Sequence, residues 1–156
     1  MRVSWHCSND AMQRPSRYRP FVTFRYFAYG SNMWPPRMRD RCPSARIVGT
    51  AELPGWRAVY DKPSVDGSAK LNIRAHATGT VQGVVYEIDG RERELLDAAE
   101  PGYTPIDTPV GLAYAYDGEA ATVLPADWYV AIIEAGAQAH GLTAPEASGT
   151  RRDSVI

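Results

Sequence analysis

The sequence predicts an α+β protein, a small mixed β-barrel with a few short helices. Three observations lead there. A chain of 156 residues suits one domain with a proper core. Its apolar runs are mostly short, rich in β-branched and aromatic residues and bounded by turn formers, and 12 prolines with 13 glycines supply the turns that many strands need. Helix signals are confined to three stretches, beginning near Pro35, Glu92 and Tyr129.

Residues 1–20 have neither helical nor strand periodicity and carry Arg2, Arg14, Arg17 and Arg19 against a single acid, Asp10. They read as a flexible basic extension, with an upstream start codon or a segment packing on a neighbouring subunit as the alternatives. Residues 21–29 form the first expected strand, which ends in Gly30-Ser31-Asn32. A short helix follows over 35–41, with proline in its first turn and Cys42-Pro43 at its end. Strands are expected over 45–53 and 55–60, with Pro54-Gly55 as the turn between them. Trp56 reads as core, with ligand stacking as the minority alternative.

Residues 63–68 read as a loop and 70–76 as another strand, Leu71 and Ile73 on one face and Asn72 and Arg74 on the other. The clearest buried strand is 81–88. A short helix over 92–100 is stopped by Pro101-Gly102. Residues 108–116 and 119–124 suggest a hairpin around Asp117-Gly118, a dipeptide that tight primed turns prefer. The last helix spans 129–139, with Val130, Ile132, Ile133 and Ala137 on its apolar face and His140-Gly141 at its end. The domain is expected over 21–142, with a frayed tail over 143–156.

Bulk properties narrow the function classes. A formal net charge of −1 offers nothing to nucleic acid or to a membrane surface. With 44% hydrophobic and 22% charged residues, wholesale disorder is excluded. No apolar run approaches the roughly 18 residues that span a bilayer, and the N-terminus has no segment of signal-peptide type. Cys7 and Cys42 are too few for a disulfide framework, so a reduced, cytoplasmic compartment is the default. His6, His76 and His140 are scattered without ligand spacing, so no metal or cofactor is expected.

Two stretches carry chemistry. In Tyr26-Phe27-Ala28-Tyr29-Gly30-Ser31-Asn32-Met33 an aromatic strand breaks into a small-residue turn just before a helix start. Backbone N–H groups of such a loop can face an anionic group or a developing oxyanion, although many buried first strands end in the same way without a ligand. Farther on, Glu100 falls at a helix C-terminus, where the dipole disfavours an anion. It is therefore either a solvated carboxylate or one whose pKa is raised, as a general base near neutrality requires.

"YFAYGSNM", "RMRDRCPSARIVGTAELPGWR" and "GVVYEID…LLDAAEPGY" resemble, in order and spacing, the γ-glutamylcyclotransferase family with its AIG2-like fold. The resemblance runs from about Tyr26 to about Leu142. It implies that a γ-glutamyl amide closes to 5-oxoproline as its amine leaves. The nucleophile would be the substrate's own α-amine, so no Ser–His–Asp arrangement is required. By the same matching Glu100 is the catalytic acid/base. The substrate-binding set is Tyr26, Phe27, Ala28, Tyr29, Gly30, Ser31 and Asn32 from the turn, with Tyr103 and Tyr129 as pocket tyrosines. Pro101 directly follows Glu100, a spacing shorter than in some relatives.

By the same resemblance the region of Asn72 and Arg74 lies near the substrate end of the barrel, which would make them neighbours of a substrate carboxylate, with a solvated edge strand as the alternative reading. Ser31 lacks the second glycine of a nucleophile elbow, and Cys42 has no partner histidine in a local motif. The expected partner is a small γ-glutamyl substrate, with a homodimer left open. Cleavage of γ-glutamylamines, γ-glutamyl-acyl removal in biosynthesis, and a non-catalytic binder on the same scaffold are the alternative readings.

Overall fold

The sheet is built outward from β1 (Thr23–Ala28), whose last residues Tyr26, Phe27 and Ala28 are all buried. A strand apolar on both faces is stable only where both are covered, which gives it an interior place. β1 pairs antiparallel with β3 (Ala69–Asp89) and parallel with β5 (Gly111–Ala115). With β2 (Arg46–Pro63) and β4 (Thr104–Thr108) at the edges, the five-stranded order is β2-β3-β1-β5-β4. The protein is a computed structural model that describes residues 22–147. The basic extension over 1–20, with His6 and Cys7, and residues 148–156 of the expected tail lie outside the described residues.

The α+β class holds, and the sheet stays open, so "barrel" overstates its closure. Pairs of expected strands fuse: 45–53 with 55–60 into the 18 residues of β2, and 70–76 with 81–88 into the 21 residues of β3. Pro54-Gly55 is a bulge rather than a turn. The β2–β3 register shifts between Pro54 and Trp56, and Gly55 takes φ +85° there. Proline is tolerated because β2 is an edge strand, where a missing N–H need not break a ladder.

The expected hairpin around Asp117-Gly118 also moves. The true hairpin is β4–β5, turning at Pro109-Val110, and 119–124 contains no strand. Side chains of β3 hold the segment that follows β5. The Asn72 amide donates to Asp61 Oδ1 (2.9 Å) and Tyr116 O (2.8 Å), and its oxygen accepts from the Tyr116 N–H (2.8 Å). Arg74 donates to Asp61 Oδ2 (2.8 Å) and Gly118 O (2.9 Å). Asn72 and Arg74 are thus structural fasteners, their polar groups committed to protein partners. A buried polar side chain of this kind must be satisfied locally or cost stability.

α1 (Pro35–Arg41) falls where its first-turn prolines place it. α2 (Arg93–Ala99) follows a 3-10 turn over Gly90–Glu92, whose N-cap Asp89 accepts from the Arg91 N–H at 2.9 Å. α3 (Asp127–Ala139) starts two residues before the expected position, on the same apolar stripe. Trp56 packs half-buried against the core. Among the described residues no helix is long and apolar enough to cross a membrane.

One close approach matters for the site. α3 lies on the 3-10 turn Ser31–Met33 that follows β1, and Gly136 permits it. A Cβ there would come within 2.7 Å of Trp34 N and 2.8 Å of the Met33 carbonyl carbon. Gly136→Ala should therefore lose about 1–2 kcal/mol in urea unfolding, although alanine is worth about 1 kcal/mol more than glycine inside a helix. A variant as stable as the parent would show that helix and turn have room to separate.

Candidate active site

β1 delivers Tyr29 to the edge of the core, and the chain then folds into the 3-10 turn, with Met33 N–H bonded to Gly30 O at 3.0 Å. The first N–H groups of such a turn have no partner within it. Tyr86 of β3 fixes the turn from behind, donating its hydroxyl to Asn32 O at 2.8 Å. His140 Nε2 lies 3.1 Å from Met33 O. These contacts leave the Asn32 side chain, only 3% exposed, pointing at Glu100.

Glu100 caps the C-terminus of α2. Glu100-Pro101-Gly102-Tyr103 closes a tight turn, with Tyr103 N–H bonded to Glu100 O at 3.2 Å and Gly102 at φ +80°. Proline at the second and glycine at the third position is what a type II turn demands. Glu100 Oε1 accepts from Asn32 Nδ2 at 2.8 Å and lies 3.5 Å from Arg41 Nη1, which also donates to Ala99 O at 2.9 Å. The same Asn32 nitrogen donates to the Tyr26 hydroxyl at 3.1 Å. Burial pushes the Glu100 carboxyl from the ordinary 4.5 up to about 7, against the opposing pull of Arg41, the Asn32 hydrogen bond, Arg37 and Lys62. Burial, rather than the helix dipole invoked from the sequence, is the principal cause.

Tyr26, Tyr29, Gly30, Ser31, Asn32, Glu100, Tyr103 and Tyr129 line one cleft, so most of the sequence-predicted set comes together. Phe27 and Ala28 do not. They are fully buried core residues behind the cleft, and the Phe27 ring fills the space over Gly83. Strand alternation explains Phe27, since it faces away from the side that Tyr26 lines.

Leu71 and Tyr114 complete the lining, and sequence reasoning missed both. Nothing local marks Tyr114, which reaches the cleft only because β5 pairs with β1 at Tyr26 and Leu112. Arg41 was missed as well; its position on the last turn of α1 says nothing of α2 until the two helices meet.

The cleft tyrosines are anchored. Tyr103 donates to Leu71 O at 2.6 Å, Tyr129 accepts from the Leu71 N–H at 3.0 Å, and Tyr29 donates to Tyr114 O. Burial raises the proton affinity of Tyr26, Tyr29, Tyr103 and Tyr129 far above neutrality. They are hydroxyl groups at every ordinary pH, and Glu100 is the lining residue poised to exchange a proton near pH 7. Ser31 Oγ accepts from Arg37 Nε at 3.1 Å, with no base in that contact. Cys42 is buried, and burial pushes its thiol up to about 11, which disqualifies it as a nucleophile. Among the described residues no cluster of histidine, cysteine and acidic side chains could hold a metal.

Fold and cleft together define a small α+β protein that sets a buried carboxylate against a turn of backbone donors and a group of fixed tyrosines. The chain belongs to the family described as gamma-glutamyl cyclotransferase, AIG2-like, whose sequence model it matches over residues 26–146.

Solved structures share the fold. One described as "Gamma-glutamyl cyclotransferase" superposes with a TM-score of 0.66 at 22% identity, covering 85% of this chain and 95% of the other. An uncharacterized protein from Homo sapiens, loc79017, gives 0.65 at 23%, covering 84% and 94%. YkqA from Bacillus subtilis gives 0.66 at 24%, covering 78% of this chain and 50% of its own. A comparison with curated proteins found no match.

The buried acid has a consequence for stability. The folded state keeps the Glu100 proton up to about pH 7, whereas the unfolded chain releases it near 4.5. Stability from this group is therefore greatest at low pH and falls as pH rises between those values. Above them the ionised carboxylate costs the fold about 3 kcal/mol. Glu100→Gln removes that cost. Its melting temperature should exceed the parent's at about pH 8, and the gap should close on lowering the pH to about 5. A gap independent of pH would mean that Glu100 titrates like a solvated acid.

Proposed function

We propose that this protein converts a γ-glutamyl amide into 5-oxoproline and a free amine, with Glu100 as general acid/base and the Tyr29-Gly30-Ser31 loop seating the glutamyl group. The observation that carries this reading is the meeting of Asn32 and Glu100 at 2.8 Å, inside a cleft where the carboxyl has been pushed up to about 7. A surface glutamate in a last helical turn would have neither feature.

The chemistry follows from those residues. The substrate's α-ammonium gives a proton to the Glu100 carboxylate, since free α-amines have pKa of about 8 and are mostly protonated near neutrality. The amine nitrogen then attacks the δ-carbonyl carbon, forming the ring C–N bond. Negative charge gathers on the carbonyl oxygen, which N–H groups of the loop stabilise. Glu100 gives its proton to the departing nitrogen as the amide C–N bond breaks. It then takes the second proton from the ring nitrogen, which keeps one hydrogen as the lactam, and passes it to the released amine. The products are 5-oxoproline and an ammonium, and the carboxylate ends as it began.

Both reacting groups sit on one molecule, and the protein's largest contribution is to hold that molecule folded. Such intramolecular attack is worth roughly 7–11 kcal/mol in effective concentration. Asn32 Oδ1, buried and without a hydrogen-bond donor, supplies an acceptor beside Glu100 for the remaining ammonium protons. The tyrosines, held by backbone groups of Leu71 and Tyr114, give the cavity a fixed shape.

A non-catalytic binder on this scaffold would gain nothing from a buried, proton-exchanging acid that costs stability. The choice among γ-glutamyl amino acids, γ-glutamylamines and larger biosynthetic γ-glutamyl groups lies outside the cleft itself.

Purified protein should release 5-oxoproline from at least one of glutathione, γ-glutamyl dipeptides and γ-glutamyl polyamines. Glu100→Gln should lower kcat/KM by about 10³-fold or more, on the scale of a lost general acid–base. In the parent enzyme kcat/KM should rise with pH through about 7, because the free enzyme must hold Glu100 ionised to accept the first proton. Undiminished turnover by folded Glu100→Gln would remove the assigned base.

A further inference from the structure

One cation beside the cleft is oddly placed. Lys62, near the end of β2, is only 7% exposed. Among the described residues its ammonium touches Pro63 O at 3.2 Å and sits 4.6 Å from the centre of the Tyr103 ring, with no carboxylate in ion-pair range. A lysine buried this far is normally paired, because an uncompensated buried charge is expensive. Burial accordingly lowers its proton affinity, with Glu100 opposing and Lys70 adding to the effect.

Lys70 forms a companion pair. Its ammonium lies 4.6 Å from the Tyr129 ring centre and 4.8 Å from that of Trp128, with Asp66 at 3.0 Å. Tyr103 and Tyr129 hold the O and the N–H of the same residue, Leu71. Their hydroxyls therefore converge at one point of β3, and each ring carries a lysine.

We propose that Lys62, assisted by Lys70, forms an anion subsite for the departing half of the substrate, so that the released amine itself carries a carboxylate, as an amino acid or a peptide does, rather than being a polyamine. The inference rests on the cyclotransferase reading above and adds the class of the leaving group. The glutamyl α-carboxylate cannot lie far from the α-amine at Glu100, within reach of the loop N–H groups and of Arg41, 3.5 Å from the same carboxyl. Arg41 lies within ion-pair distance of Glu100, whereas Lys62 does not and sits instead on the ring of Tyr103, a wall of the same cleft, so it lies farther from the reacting amine. A carboxylate arriving there would supply the partner that the protein withholds. A cationic amine would meet like charges there, and Asp66 beside them is already paired with Lys70.

The test compares kcat/KM of the parent for γ-glutamyl-alanine, γ-glutamyl-alaninamide and γ-glutamyl-putrescine, followed by 5-oxoproline release. The acid should exceed the amide by about tenfold, as one charge-assisted contact allows, and the polyamine by more. Lys62→Met should bring the acid-to-amide ratio down towards one, chiefly through KM for the acid. Lys70→Met should do so in smaller degree, and serves if Lys62→Met does not fold. Preference for the amide or the polyamine, or an equal loss on acid and amide in Lys62→Met, overturns the subsite while leaving the cyclising activity in place. Release from none of the three, nor from glutathione, removes the cyclotransferase reading and the subsite with it.

Discussion

The site depends on one amide side chain. Asn32 lends its nitrogen to Glu100 and to Tyr26, and so ties the end of the first strand to the end of a helix 68 residues away. The bond is asymmetric in its consequences. Made, it contributes little net energy; unmade, it leaves a buried carboxylate short of a donor. Its geometry is therefore held from several sides. Tyr86 grips the Asn32 carbonyl, His140 lies against that of Met33, and Gly136 lets α3 rest on the turn without displacing it.

The acidity of Glu100 is a balance, and no single neighbour sets it. Burial alone would make the carboxyl so weak an acid that it stayed protonated. Arg41, Asn32, Arg37 and Lys62 each draw it back, and the result lies near 7. A carboxyl of that proton affinity is ionised often enough near neutrality to accept a proton and acidic enough to return one. The tyrosines around it tell the complementary story. The hydroxyls of Tyr29, Tyr103 and Tyr129 are committed to backbone groups and that of Tyr26 accepts from Asn32; burial keeps all four protonated near neutrality, so they set the shape of the cleft.

The sequence made some of this legible and not the rest, for physical reasons. Local chemistry was readable. Prolines 35 and 36 fixed the start of α1, the apolar run through Ala28 marked the first strand, and Glu100 before Pro101-Gly102 marked a helix end. What failed was continuity and pairing. Pro54-Gly55 looks like a turn in any window of sequence and becomes a bulge only because β3 runs unbroken beside it. Asp117-Gly118 has hairpin chemistry, yet Asn72, Arg74 and Asp61 hold that segment by side chains instead. Of the residues expected in the site from the first turn, Tyr26 and Tyr29 through Asn32 line the cleft, whereas Phe27 and Ala28 lie in the core. Arg41, Tyr114 and Lys62 gave no sign, since each matters only through an element distant in the chain.

The short spacing after Glu100 turns out to be a measuring device. A tight turn needs a proline-tolerant second position and a residue of positive φ at the third, and Pro101 and Gly102 provide them. The turn sends Glu100 and Tyr103 into the same cleft. The Tyr103 hydroxyl then fixes its far end to Leu71, so the end of α2 is registered against the middle of β3. Gly102 does a second thing: a Cβ there would lie 3.1 Å from the Lys62 ammonium. The glycine that shapes the turn thus also makes room for the cation on the Tyr103 ring. A longer connection would loosen Tyr103 from Glu100, and a larger residue would crowd Lys62. The position of the buried carboxyl, the wall of the cleft and the room for the charge beside it are set together by four consecutive residues.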